Sequence, residues 1–297
     1  MDWTQYWFMF PVAIGVATFS MLSGVGGAAL FIPVFVIFFP MLGPDYPLEA
    51  AAAIGAALLT AVFGFSSGLV GYHRRGLIDF RSAVPFLSIS VPVGVLGATL
   101  FGALQNQGVL LTGAYATLML VLCVVMLRRT PGPAPMPAID GRDMPGENGD
   151  FRTISARNGT TYRFRKPRQG PLGMFYTGLG SFLTGLLGVG VGEVILPQLV
   201  KRNRVPLAVA AATSVLIVVM TIAAASFTQI GLLIDAGGLD AVPWNLMCYT
   251  VPGVLIGGQL GPLLQGRIAQ RTLERTIAIL FGAIGVAMGW IALRSVP

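Results

Sequence analysis

The chain alternates between long apolar stretches and short polar loops. A transmembrane helix needs roughly 20 mostly apolar residues. Six stretches meet this requirement, at residues 48–70, 83–104, 108–127, 207–230, 242–264 and 276–293. This pattern predicts an all-α polytopic membrane protein.

Two further apolar regions, residues 3–39 and 171–200, are interrupted by glycines. The first contains Gly24-Val25-Gly26-Gly27, and the second has glycines at positions 185, 188, 190 and 192. Each region is too long for one span, and its second arm is too short to cross the membrane alone. We therefore interpret each region as a broken helix.

The two halves of the chain repeat one pattern at a spacing near 160 residues. The matching blocks are 20–24 with 181–185, Pro47-Leu48 with Pro206-Leu207, and 91–97 with 251–257. Three blocks in the same order indicate a duplicated unit. We divide the chain into a first transmembrane repeat (1–128), a linker (129–170) and a second transmembrane repeat (171–297).

Composition and charge support a membrane location. Charged residues make up 10% of the chain and apolar residues 55%, whereas a soluble domain carries roughly 25% charged residues. All 19 Lys and Arg lie in loops or in the linker rather than in apolar stretches. The net charge of +7 therefore indicates topology signals on cytoplasmic loops and not nucleic-acid binding.

Loop charges also predict the topology in the inner membrane. With the basic linker in the cytoplasm, every loop obeys the positive-inside rule only if residues 171–200 enter the membrane and turn back. A single crossing would place Lys201, Arg202 and Arg204 outside. By repeat symmetry, residues 3–39 turn back from the outside, where the amino terminus then lies. Each repeat is thus a broken-helix hairpin plus three transmembrane helices, and the two repeats are inverted, as in many secondary transporters.

The linker contains one local folding signal. Asn158-Gly159 separates two alternating runs, residues 152–157 and 160–165. An Asn-Gly pair in this setting predicts a β-hairpin with a two-residue turn.

The glycine breaks mark the predicted functional centre, because non-helical backbone at membrane depth must be buried in protein or line a cavity. A short helix should begin after each break, near Ala28 and near Gly192. Two facing helix amino termini would bind an anion without any Lys or Arg. The candidate binding residues lie at or beside the breaks or on the following spans: Ser20, Ser23, Gly24, Gly26, Gly27, Ser181, Thr184, Gly188, Gly190, Gly192, Thr213, Ser214 and Gln259. For the hydroxyl residues, tight helix packing is the alternative interpretation.

Glu193 is the one acidic residue in the two broken regions. An ionisable group at that depth indicates a functional role, here the binding and release of a coupling proton. The alternative is that its carboxylate stabilises the amino terminus of the short helix. The sequence contains no pattern that indicates a metal site or a cofactor.

The order of these motifs resembles the TauE/SafE family of sulfite exporters. The resemblance rests on Ser23-Gly24-Val25-Gly26-Gly27 with Pro33, the alanine-rich span after Pro47, the block at 72–79, and the duplicated block at 91–97. It implies transport of sulfite, of sulfonates such as sulfoacetate, or of related sulfur oxyanions. Glu193 departs from the glycine-rich pattern of the second half, so the resemblance does not support a coupling role for it.

We therefore expect a secondary transporter of a small anion in the lipid bilayer, driven by the proton gradient or the membrane potential, with a passive anion channel as the alternative. An intramembrane enzyme would need a metal cluster, a nucleophile–base pair or paired acids, and the spans contain no such set. A structural subunit would have no use for duplicated broken helices. The sequence leaves the oligomeric state open, a homodimer included.

Overall fold

The computed structural model describes residues 4–23, 26–43, 46, 48–128, 151–157, 159–264 and 270–294. The first half consists of α1 (Met9–Ser23), α2 (Ala28–Pro33), α3 (Phe39–Leu42), α4 (Ala50–Arg74), α5 (Phe80–Leu104) and α6 (Gly108–Leu127), with a π-helical turn at Val34–Phe38. The remainder consists of β1 (Phe151–Ser155), β2 (Thr161–Arg165), α7 (Pro171–Leu187), α8 (Val191–Pro197), a π-helical turn (Gln198–Arg202), α9 (Leu207–Gly237), a 3₁₀ turn (Leu239–Ala241), α10 (Trp244–Leu264) and α11 (Gln270–Arg294).

The prediction of an all-α polytopic membrane protein is confirmed. In the part of the chain that the structure describes, five helices are long and apolar enough to cross a membrane: α4, α5, α6, α9 and the Arg275–Arg294 part of α11. The sixth predicted span, residues 242–264, corresponds to the 21-residue helix α10. Large apolar side chains such as Phe227 and Ile279 are about 70% exposed, which is the surface expected of helices that face lipid rather than water.

The second broken region folds back on itself. α7 ends at Leu187 and α8 begins at Val191. From there the chain returns along α7, because Gln198 Nε2 lies 3.4 Å from Thr177 Oγ1. A Cβ at Gly170, the residue before α7, would lie 2.8 Å from Arg202 Nη2. Both ends of this hairpin therefore lie together, as the charge pattern requires.

The first broken region closes in a similar way through aromatic contacts. α1 ends at Ser23 and α2 begins at Ala28. Before α1, the ring of Tyr6 stacks on the ring of Phe39 in α3, with 5.2 Å between the ring centroids. The two ends of this hairpin therefore also meet, at an aromatic cluster. At the corresponding place in the second hairpin lies a basic residue, Arg202.

The helices of the two halves exchange partners. α1 packs on α10 and α7 packs on α5, while α4 contacts α10 and α9 contacts α5. α4 also packs on α9, and α6 packs on α11. A pseudo-twofold axis between the halves would produce this exchange. The inverted orientation of the repeats in a membrane remains a prediction.

Glycines at equivalent positions permit the closest of these contacts. Gly97 of α5 lies against the carbonyl oxygen of Phe182 in α7, and Gly257 of α10 lies against that of Ile14 in α1. Neither site has room for a Cβ atom. Small residues at these crossings let the backbones approach, as membrane helices require.

A two-stranded antiparallel hairpin forms in the linker, in a register that pairs Phe151 with Arg165 and Ser155 with Thr161. The predicted two-residue turn is wrong in detail. Ala156 N–H donates to Thr160 O at 2.9 Å, so the chain reverses over residues 156–160. Gly159 follows with φ +83°, the conformation that glycine adopts at low cost.

The hairpin is attached to the loop between α4 and α5. Arg152 Nη1 lies 2.7 Å from Asp79 Oδ1, and Arg157 N–H donates to Arg75 O at 3.0 Å. Asp79 also caps α5, because its carboxylate accepts from Ser82 N–H at 3.2 Å. One buried carboxylate therefore joins the linker to the end of a transmembrane helix.

Candidate anion site at the two helix breaks

The two breaks meet in the protein interior and line one small cavity. The helices α4 and α9 supply the rest of the cavity lining. The lining residues are Gly26, Gly27, Ala28, Ala61, Phe65, Thr184, Gly188, Gly190, Val191, Gly192, Glu193, Val218 and Ile222. The space open to the centre of a water molecule is about 10 Å³, roughly enough for one water. The cavity is therefore too small to hold more than a water-sized molecule in this conformation.

Glycine geometry shapes the second break. Gly188 has φ +78° and Gly190 has φ +140°, conformations in which a side chain would be strained. The N–H of Gly188 closes α7 by donating to Thr184 O at 2.8 Å. The sharp reversal at Gly190 then starts α8 at Val191.

The Glu193 carboxylate connects the two breaks. Its Oε1 accepts from the backbone N–H of Gly26 at 3.0 Å, and its Oε2 accepts from the backbone N–H of Gly190 at 3.1 Å. The side chain is buried, with 5% of its surface exposed. One carboxyl group thus accepts hydrogen bonds from backbone amides of both halves of the protein.

Thr184 holds the start of α8. Its Oγ1 accepts from Val191 N–H at 2.7 Å and donates to Gly180 O at 2.9 Å. The hydroxyl therefore satisfies an amide that has no partner within its own helix. It also lines the cavity.

The residues at the end of α1 have different positions. Ser20 is buried and lines a neighbouring apolar cavity of about 10 Å³, which shares Gly27 and Phe65 with the first. The side chain of Ser23 and the whole of Gly24 lie outside the described residues.

Two predicted hydroxyl residues bind their own helices. Ser181 Oγ donates to Thr177 O at 2.7 Å, and Ser214 Oγ donates to Ala211 O at 2.9 Å. Neither residue lines the cavity between the breaks. Their contacts correspond to the packing interpretation.

Two further predicted residues fasten helices together away from the cavity. Thr213 Oγ1 accepts from the backbone N–H of Asp79 at 3.1 Å, which ties α9 to the start of α5. Gln259 Nε2 lies 3.0 Å from Ser67 Oγ and joins α10 to α4. The structure therefore brings together Thr184, Glu193 and the predicted glycines that it describes, but not Thr213, Ser214 or Gln259.

Sequence reasoning missed the cavity walls. Ala61 and Phe65 face the cavity from α4, and Val218 and Ile222 face it from α9. Each pair is spaced four residues apart, which places both members on one helix face. The same spacing occurs throughout buried helix faces, so no signal in the sequence marks these positions.

The fold is that of a polytopic membrane protein. The sequence profile described as "Sulfite exporter TauE/SafE" matches residues 9–288, and the chain belongs to this family. It is a family of membrane transporters, so the chain is not an enzyme.

Two curated relatives are similar over almost their whole lengths. "Probable membrane transporter protein YunE" of Bacillus subtilis (strain 168) is 24% identical over 280 residues, covering 94% of this chain and 96% of the relative. A "Probable membrane transporter protein" of Xylella fastidiosa (strain Temecula1 / ATCC 700964) is 25% identical over 279 residues, covering 93% and 92%. No solved structure matches the chain significantly.

Proposed function

We propose that the protein transports a small sulfur oxyanion, either sulfite or an organosulfonate such as sulfoacetate, by alternating access around the two helix breaks. One observation carries this proposal: the amides of Gly26 and Gly190, from opposite halves of the chain, converge on one buried point. The family's description supplies the chemical class of the substrate.

Backbone amides suit this task. Amides at a helix start carry partial positive charge and lack partners in their own helix, and pairs of them bind anions without a cationic side chain. No Lys or Arg lines the cavity among the described residues. A site built this way holds an anion weakly enough to release it on the other side.

The hairpin ends suggest how the site is reached. The ends of the second hairpin lie beside Arg202, and those of the first lie in the cluster of Tyr6 and Phe39. We assign the basic end and the linker to the cytoplasm by the positive-inside rule, and the amino terminus to the outside of the inner membrane. Rocking of the two repeats would then widen the cavity and open it to each side in turn. The proton gradient is the proposed driving force, with Glu193 as the coupling residue.

A liposome uptake panel tests the proposal. Purified protein is reconstituted and exposed to sulfite, thiosulfate, sulfoacetate, taurine and sulfate, with and without a pH gradient. We expect saturable uptake of at least one sulfur oxyanion. Flux that rises linearly with concentration and ignores the pH gradient would instead indicate a passive channel, and no uptake of any anion would refute the proposal.

Two leucine variants serve as a matched pair in the same assay. A Cβ at Gly26 would lie 3.6 Å from Glu193 Oε1 and 3.8 Å from Gly188 O, so Gly26→Leu places its side chain between the breaks. A Cβ at Gly15 has nothing within 4 Å, so Gly15→Leu adds the same bulk at an open surface. We expect uptake to be lost in the first variant and kept in the second.

A further inference from the structure

We propose that Glu193 and the transported anion compete for the same two backbone amides, so that each anion binds together with one proton. This inference rests on the proposed anion site and describes how that site is regulated. It predicts that proton and anion move across the membrane in the same direction.

The geometry supports competition rather than simultaneous binding. Both carboxylate oxygens of Glu193 are in use, one on Gly26 N–H at 3.0 Å and the other on Gly190 N–H at 3.1 Å. The remaining space holds roughly one water. A sulfur oxyanion with four or more heavy atoms therefore has no room, and cannot reach these two amides, until the carboxylate withdraws.

Charge makes the exchange dependent on a proton. Two negative groups at contact distance in a water-poor cavity repel each other strongly, and such a site favours the protonated form of one of them. A proton taken from water on the open side converts the Glu193 carboxylate into a neutral carboxylic acid. This acid is a weaker acceptor than the carboxylate, so the amides of Gly26 and Gly190 become available to the anion. Deprotonation on the opposite side restores the carboxylate and expels the anion.

Among the described residues that line the cavity, Glu193 is the one with a titratable side chain. The described lining residues from α2, α4, α7 and α9 are uncharged: Ala28, Ala61, Phe65, Thr184, Val218 and Ile222. Tyr115 of α6 lies within electrostatic range of Glu193, and its hydroxyl donates to Ala29 O at 2.7 Å. Among the described lining residues, the proton bound in the cavity therefore belongs to Glu193.

Proton movement in the wild-type protein tests this directly. Liposomes that contain a pH-sensitive dye receive an inward gradient of thiosulfate or sulfoacetate, which do not change charge near neutral pH, with no pH gradient imposed. We expect uptake to acidify the interior. One proton bound per anion also predicts that the apparent KM falls by roughly tenfold for each unit decrease in pH while Glu193 is ionised.

Glu193→Gln separates the role of the proton from that of the side chain. In Gln, the amide oxygen can replace one carboxylate oxygen as acceptor, but the amide nitrogen that replaces the other can only donate. We expect this variant to transport the anion without acidification and with a KM that does not respond to pH. Asp235→Asn makes the same chemical change at an exposed position and should behave as wild type.

The outcomes separate the inference from the proposed function. Anion uptake by the wild type with an unchanged or alkaline interior would overturn the inference and leave the transporter intact. Coupled uptake by Glu193→Gln would also overturn it. No uptake by the wild type would overturn the proposed function itself. If Glu193→Gln does not fold, the proton measurement on the wild type still decides.

Discussion

Thr184→Val removes one buried hydroxyl while keeping the shape of the side chain. Thr184 Oγ1 accepts a hydrogen bond from the backbone N–H of Val191, at the start of α8, with 2.7 Å between the two heavy atoms. Val191 is 2% exposed, so its N–H would be left buried with no acceptor. A buried donor without a partner costs about 1–3 kcal/mol. We expect a loss of folding free energy in this range.

Ser181→Ala provides the matched control on the same helix. Ser181 is also fully buried, but its hydroxyl donates to Thr177 O within α7. Removing it strands no backbone donor, because the side chain only adds a second bond to a helical carbonyl. We expect a loss below about 1 kcal/mol.

Reversible unfolding of the purified protein in mixed detergent micelles measures both variants. Hydrogen exchange adds a local readout: the amides of α8 should exchange faster in Thr184→Val and not in Ser181→Ala. Equal stability of the two variants would refute the idea that Thr184 holds the second break together.

Two further predictions concern contacts outside the cavity, and a third concerns the cavity itself. Arg152→Ala removes the guanidinium that lies 2.7 Å from Asp79, a residue that is 5% exposed, and should lower the free energy of unfolding by about 1–3 kcal/mol. A double-mutant cycle with Asp79→Ala measures the coupling, and a coupling energy of zero would contradict this prediction. Gly97→Leu and Gly257→Leu should each abolish folding. Gly113→Leu is the control, because a Cβ there meets nothing within 4 Å, and it should give folded protein. Equal yields of folded protein in size-exclusion chromatography would contradict the close-packing argument. The amides of Gly26 and Gly190 donate to two oxygens of one group, so sulfite should compete with labelled thiosulfate for uptake and chloride should not. Strong inhibition by chloride would show that the site selects anions by charge alone.

The lengths of the apolar stretches and the positions of the glycines made most of the fold predictable. The start of α2 at Ala28 coincides with the predicted position, and α8 starts at Val191, one residue before Gly192. Glycine breaks can be read from sequence because few other residues permit such backbone at membrane depth. The linker turn was harder, since Gly159 can serve a two-residue turn or a longer loop.

The polar residues of the site were only partly predictable. Thr184 and Ser181 are equally small, buried and close to the break, yet only the first reaches an amide of α8. Which hydroxyl reaches that amide depends on the angle at which α8 packs against α7, and this packing angle cannot be predicted from the sequence. The bridge from Glu193 to Gly26 spans 167 positions of the chain, so it becomes visible only once both halves are folded together.

The direct test of the anion site is a titration of protein with ¹⁵N-labelled glycine, in lipid nanodiscs, with sulfite or thiosulfate. The account predicts that the amide resonances of Gly26 and Gly190 shift together, with one saturation curve, while those of Gly15 and Gly113 stay fixed. If neither resonance moves under conditions in which the anion is transported, the two breaks do not form the binding site.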